Sequence, residues 1–176
     1  LPIYILEQSG FSVSGAGDVN GDGYDDVIVG APAAASYYGD SIDGFSYVVL
    51  GKVSGFSAAL DLSKSDFGMS GGYESHLGLS VSGAGDINGD GFDDVVVGAW
   101  KDRSSALLKY AGSVTVLNGG DGTQLDKIYG AATRDFLGFS VGAGDIDTDS
   151  KAEVLIGVPG ANVRMGSAAP LLKNTG

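Results

Sequence analysis

The sequence predicts an all-β fold made of propeller blades, each blade a four-stranded antiparallel sheet. Three observations carry this. The first is a self-similar unit: G-F-S-V-S-G-A-G-D (10–18), G-L-S-V-S-G-A-G-D (78–86) and G-F-S-V-G-A-G-D (138–145), with 68 and then 59 residues between their aspartates. The second is an Asp/Asn/Gly loop directly after each unit, running straight into an apolar run: Val27–Val29, Val95–Val97 and Val154–Ile156. The third is 31 glycines in 176 residues, too many for helices and suited to a chain with many turns.

Taken in order, residues 1–9 hold an outer strand, Pro2–Leu6, of a preceding blade. Repeat 1 spans residues 10–77, repeat 2 spans 78–137, and repeat 3, incomplete, spans 138–176. Each opens with an alternating strand A that places Phe11/Val13, Leu79/Val81 and Phe139/Val141 on a buried face. Strand B (Asp26–Gly30, Asp94–Gly98, Glu153–Gly157) is a continuous apolar run, expected to be buried on both faces. Pro32 and Pro159 mark strand ends, because proline cannot donate to a ladder. Strand C is expected at Phe45–Leu50 and Ser113–Leu117, and a weaker strand D near Ser65–Ser70 and Asp126–Tyr129. Two packed sheets are the competing architecture, but identical loop chemistry in every copy favours radial repetition. Three blades do not close a ring of roughly 4–8. The chain therefore reads as part of a larger propeller, with a ring completed by further copies as the alternative.

The loops demand a cation. Asp18, Asn20 and Asp22 occupy positions 1, 3 and 5, Tyr24 offers its carbonyl at position 7, and Asp26 stands at position 9. Repeat 2 supplies Asp86, Asn88, Asp90, Phe92 and Asp94, and repeat 3 supplies Asp145, Asp147, Asp149, Lys151 and Glu153. Ca²⁺ takes about 6–8 oxygen ligands, and alternate side chains of a tight loop converge to give them. Gly23 and Gly91, at position 6, allow the sharp turn; Ser150 replaces them in repeat 3. An EF-hand shares the opening but needs a bidentate Glu at position 12 and flanking helices. Here position 12 is Val29, Val97 or Ile156, so the EF-hand is rejected and the calcium kept.

These loops hold 12 of the 22 acidic residues, and three bound Ca²⁺ would halve the formal net charge of −12. That charge argues against nucleic acid, whose phosphates call for Lys/Arg patches. No apolar run approaches the ~18 residues of a membrane span. Without cysteine there is no disulfide or thiolate site. Millimolar calcium and all-oxygen sites suit an extracellular or cell-surface setting. The chain starts at Leu1-Pro2 without a leader and is expected to be processed or excised from something longer. Catalysis is not expected: the acids are committed to the loops, His76 is the one histidine, and neither G-x-S-x-G nor H-E-x-x-H occurs.

The order G-[FL]-S-V…G-A-G-D-[VI]-N-G-D-G-[YF]-D-D-V-[IV]-V-G-A-[PW] resembles the FG-GAP repeat of integrin α-subunit β-propellers, over about residues 10–160. Tyr47–Leu62 further resembles bacterial surface proteins built of such repeats. Repeat 3 departs at Asp147, Thr148, Ser150 and Glu153. The resemblance implies a seven-bladed propeller with calcium in the A–B loops of its lower face, held by the loop residues already named. It also implies a protein or glycan ligand on the opposite face, built from the B–C and D–A connections. Those contain Tyr37, Tyr38, Asp40, Trp100, Lys101, Arg103 and Tyr110, then Tyr73, Glu74, His76, Arg134 and Asp135. Of these, Tyr37, Tyr38, Trp100, Arg103, Tyr73 and Arg134 are the candidate contacts, since Tyr, Trp and Arg are favoured binding anchors. The plainer reading of the aromatics is packing between blades, and that of the charges a solvated turn. The expected function is a calcium-stabilised adhesion or ligand-binding module. An assembly repeat of a surface protein, a lectin-like domain or the propeller of an enzyme are the alternatives.

Overall fold

The computed structural model describes residues 8–35, 41–55, 61–62, 65–103, 108–148 and 151–161. Repeat 1 supplies β1 (Ser12–Gly17), β2 (Asp26–Ala31), β3 (Phe45–Val49) and β4 (Phe67–Ser70). Repeat 2 supplies β5 (Ser80–Gly85), β6 (Asp94–Ala99), β7 (Ser113–Leu117) and β8 (Gln124–Tyr129), and repeat 3 supplies β9 (Val141–Gly144) and β10 (Glu153–Ile156). The first two sets are antiparallel meanders in the order β1-β2-β3-β4 and β5-β6-β7-β8; β9 and β10 form a two-stranded sheet. The fold is all-β, and these sheets are propeller blades. Among the described residues no helix is long and apolar enough to cross a membrane. The strand expected at Pro2–Leu6 lies outside the described residues.

In a meander, the A–B and C–D turns share one end of the blade, and the B–C and D–A connections share the other. The sequence alone therefore sorts the acidic loops from the Tyr/Trp/Arg segments into two opposite faces. Strands A and B also carry a repeat-specific irregularity. In repeats 1 and 2 the pairing slips between Gly15 and Gly17 and between Gly83 and Gly85, leaving Ala16 and Ala84 as the extra residues of a bulge. Repeat 3 is one residue shorter there, and its pairing runs without a slip from Val141↔Ile156 to Gly144↔Glu153. The missing residue is the missing bulge.

The core is divided between the blade junctions. Ile28, Val48 and Leu77 of repeat 1 pack with Val81, Val95, Val97 and Leu117 of repeat 2. Val96, Val114 and Val116 of repeat 2 pack in turn with Leu137, Val154 and Ile156. The sheets approach closely: a Cβ on Gly30 or Gly98 would strike the carbonyl of Gly78 or Gly138, where the following strand A enters. That is why glycine stands at this position of strand B in repeats 1 and 2.

The packing corrects the expected burial of strand A. Val81 is 7% exposed, but Val13 is 68%, Phe11 58% and Phe139 48% exposed. Val81 faces repeat 1, whereas the same face of β1 has no blade before it among the described residues. Strand B shows the converse at the other end. Ile28 and Val96 are buried against the next repeat, while the equivalent Leu155 is 44% exposed.

Candidate metal centre and the opposite face

Each A–B loop curls because its own acids bind its own amides. In loop 1, Asp18 accepts the amides of Asp22 (3.0 Å) and Gly23 (2.8 Å), Asn20 accepts that of Asp22 (2.9 Å), and Asp22 accepts that of Tyr24 (3.0 Å). Loop 2 repeats the pattern, with Asp86 accepting from Asp90 (3.1 Å) and Gly91 (2.8 Å), Asn88 from Asp90 (2.8 Å) and Asp90 from Phe92 (3.0 Å). Gly21, Gly23, Gly89 and Gly91 all hold left-handed backbone, which a Cβ would resist.

Position 9 closes the loop onto the blade. Both oxygens of buried Asp26 accept amides, from Val19 (2.8 Å) and from Gly51 of the C–D turn (2.6 Å). Asp94 does the same with Ile87 (3.0 Å) and Gly119 (3.1 Å), and Glu153 accepts from Ile146 (3.0 Å). A carboxylate oxygen keeps a second lone pair for a cation. Burial raises the pKa of Asp26 and Asp94 above the ordinary value, and the neighbouring loop carboxylates push the same way. Asp90 is held low, by the Asn88 side chain first and the Phe92 amide next. A hard cation among these oxygens would relieve both burial and repulsion. Loop 3 adds the tightest acidic group: carboxylate oxygens of Asp145, Asp147 and Glu153 lie within 4.8 Å of one another. Asp149, its expected fifth-position ligand, lies outside the described residues. The donor set, all oxygen and mostly carboxylate, fits Ca²⁺.

The residue beside position 9 does something that loop spacing does not reveal. Asp93 reaches across the junction: Asp18 donates its amide to Asp93 Oδ2 (2.9 Å), and Asp93 donates its amide to the Asp18 carbonyl (3.2 Å). Gly17 provides the notch, since a Cβ there would collide with the Asp93 carboxylate. The two acidic loops are thereby latched to each other. At the next junction the equivalent residue is Ala152, 3.9 Å from where a Cβ on Gly85 would stand. A cleft of about 400 Å³ opens there, between Gly85, Asp86, Asn88, Asp145 and Ala152.

On the opposite face, Tyr37, Tyr38 and Asp40 lie outside the described residues. Trp100 takes the packing role: its ring lies 5.9, 5.5 and 5.8 Å from those of His76, Phe136 and Phe139. Arg103 pairs with Glu74 (2.8 Å) and lies over the Tyr73 ring at 5.6 Å. Arg134 is exposed and left-handed. Lys101 Nζ stands 3.1 Å from His76 Nε2 and 4.7 Å over the Trp100 ring. Behind this surface, buried Asp102 accepts from Ser113 (2.7 Å) and pairs with Lys127 (2.8 Å). Burial draws the Lys127 pKa down, but the bond to Asp102 and its charge outweigh that, and the net shift is upward.

Comparison with known proteins agrees with this geometry. The FG-GAP repeat model matches residues 9–49. The chain is 38% identical over 107 residues to integrin alpha pat-2 of Caenorhabditis elegans, covering 61% of this chain and 8% of that protein. It is 31% identical over 160 residues to integrin alpha-6 of Gallus gallus (90% and 14%). To phosphatidylinositol-glycan-specific phospholipase D of Bos taurus it is 35% identical over 150 residues (81% and 18%). The chain thus spans less than a fifth of the length of these relatives. With its repeated A–B loops and meander blades, it is an FG-GAP repeat chain of the integrin α-like propeller type.

Proposed function

We propose that this chain is a calcium-stabilised propeller module of an extracellular or cell-surface protein, serving adhesion or the binding of a macromolecular ligand. Calcium sits in the A–B loops, held by Asp18, Asn20, Asp22, Tyr24 (carbonyl) and Asp26. In repeat 2 it is held by Asp86, Asn88, Asp90, Phe92 (carbonyl) and Asp94, and in repeat 3 by Asp145, Asp147, Asp149, Lys151 (carbonyl) and Glu153. Bound metal cross-links strand A to strand B, so its binding energy is folding energy. Repeat boundaries at 10–77, 78–137 and 138–176, and further blades beside these, complete the reading. A protein or glycan ligand takes the face opposite the loops, and the chain itself is not catalytic.

The observation that supports this most is the position-9 carboxylate. Asp26 and Asp94 are buried, raised in pKa and surrounded by further acids at the one end of each blade where strand A turns into strand B. Differential scanning calorimetry with added Ca²⁺ and with EDTA tests it. Chelation should lower the melting temperature strongly, and Asp90→Ala should lower it more than Lys101→Ala. Superimposable melts with and without EDTA would sink the assignment.

A second reading, an assembly repeat, is favoured by the exposed strand faces at Val13 and Leu155. Light scattering separates the two: a calcium-dependent multimer of defined size supports assembly, and a monomer counts against it. The lectin-like alternative is weakened because the Trp100 ring is already occupied by three aromatic neighbours and Lys101.

A further inference from the structure

The two faces differ in charge: the loop end is strongly acidic and the opposite end nearly balanced. The loop end carries the acids that crowd positions 1 to 9, while Lys101, Arg103, Lys109 and Arg134 all stand in the B–C and D–A connections. Of the four acids at this second end among the described residues, Asp102 and Glu74 are neutralised by ion pairs, and Asp43 and Asp135 are held by neutral donors. Asp43 accepts from Ser41 (2.6 Å) and from the Glu74 amide (3.1 Å), Asp102 holds Lys127, Asp135 accepts the Ala132 amide (2.7 Å), and Glu74 holds Arg103. Among the described residues, Lys101 has no carboxylate within ion-pair distance.

Lys101 lines a cleft of about 410 Å³ at the junction of repeats 1 and 2, together with Ser41, Ile42, Glu74, His76 and Tyr110. Its main chain is pinned by donation to the Ser75 carbonyl (3.2 Å). Its ammonium is positioned from two sides, by the Trp100 ring below and by His76 Nε2. Nε2 can accept because the other ring nitrogen serves the Pro32 carbonyl, while burial first and the Lys101 charge next hold the imidazole pKa down, keeping it neutral. One of three ammonium protons is thus used for positioning, leaving two for a ligand. Tyr110 adds a phenolic hydroxyl and holds left-handed backbone at a position where repeat 1 has Ile42 in an ordinary conformation. The left-handed Glu74 and His76, by contrast, share that geometry with Arg134 and Phe136, their counterparts at the next junction. Half-exposed Ile42 supplies an apolar wall.

We propose that this cleft binds the side-chain carboxylate of an acidic protein segment, with Lys101 as the charged anchor and Tyr110 as the second donor. The inference rests on the binding role proposed for this face and names its ligand class. A peptide is favoured over an acidic sugar because the aromatic faces beside Lys101 are taken: Trp100 by its neighbours, Tyr73 by Arg103. Nucleic acid is disfavoured by the net charge of −12.

Fluorescence anisotropy of a labelled Asp/Glu-rich peptide, in low-salt buffer with calcium in excess, tests it. The acidic peptide should bind at least about tenfold more tightly than its Asn/Gln counterpart. Lys101→Met, which keeps the apolar stem over Trp100, should lose about tenfold or more, and Lys101→Arg should recover most of that. Equal binding of the two peptides, or by Lys101→Met, overturns the proposal, as does the absence of acidic-peptide binding. Competition by free glucuronate as strong as by the unlabelled peptide overturns the choice of a peptide. Calcium-dependent melting, read on the same samples, separates the two claims: if it persists while the peptide fails, only this inference falls.

Discussion

His76 is the sole histidine, and its environment makes it a pH-sensitive stabiliser. Burial, and then the adjacent Lys101 ammonium, lower its pKa from the ordinary 6.5. The unfolded chain therefore binds this proton more readily than the folded one. Stability from this residue is present above 6.5 and is lost as pH falls through that value towards the lowered folded pKa. With calcium held in excess, the melting temperature should drop between pH 7.5 and pH 5.5, and His76→Gln should shrink that drop. An unchanged pH dependence in the variant would remove His76 from the account. In the sequence, His76 reads as an ordinary loop contact. Its pairing with Lys101 spans two repeats, and spacing within one repeat carries no signal for that.

At the scale of loops and strands, the acid beside position 9 sets how neighbouring blades are joined. Asp93 takes the Asp18 amide into a notch that Gly17 leaves open, and Ala152 leaves the same place unfilled one junction on. Asp93→Ala should destabilise the calcium-bound protein by about 1–3 kcal/mol, because it orphans that amide in a packed junction. Ala152→Asp, which places a carboxylate opposite Gly85 within reach of the Asp86 amide, should stabilise it by about 1 kcal/mol. Chemical denaturation of both variants checks this, and no change in either direction would refute the latch. The A–B loops and strand B are legible in the sequence, because oxygen spacing and a continuous apolar run are local patterns. The weak strand D is legible as to place: Phe67–Ser70 and Gln124–Tyr129 lie where the sequence puts them. The latch is not legible, although the doublets Asp25-Asp26 and Asp93-Asp94 set against Ala152-Glu153 are its signal. Reading them requires knowing which loop abuts which.

At the scale of the molecule, burial is decided by neighbours rather than by alternation. Val13 and Val81 occupy the same position of the same strand, yet among the described residues only Val81 has a blade in front of it. Val81→Asp should cost about 3 kcal/mol or more, since it buries a carboxylate without a partner. Val13→Asp in this 176-residue chain should stay within about 0.5 kcal/mol. Equal losses by urea titration would mean that Val13 is covered in solution. The sequence pattern marks both as core-facing, and the structure bears this out for Val81 alone. It does not say which strand has a blade in front of it among the described residues, and the expected burial of Val13 misses for that reason. The Phe11 position is open even beside a neighbouring blade, since Phe139 is also exposed.

The unequal junctions have a mechanical corollary. Load carried tangentially from blade to blade must cross one seam stitched at its acidic end by Asp93 and Asp18, and another where Ala152 supplies no stitch. The second seam has its apolar packing and the Val141-to-Ser80 hydrogen bond to resist shear but no carboxylate from Ala152 at that place, so a pulled array should tear first between repeats 2 and 3.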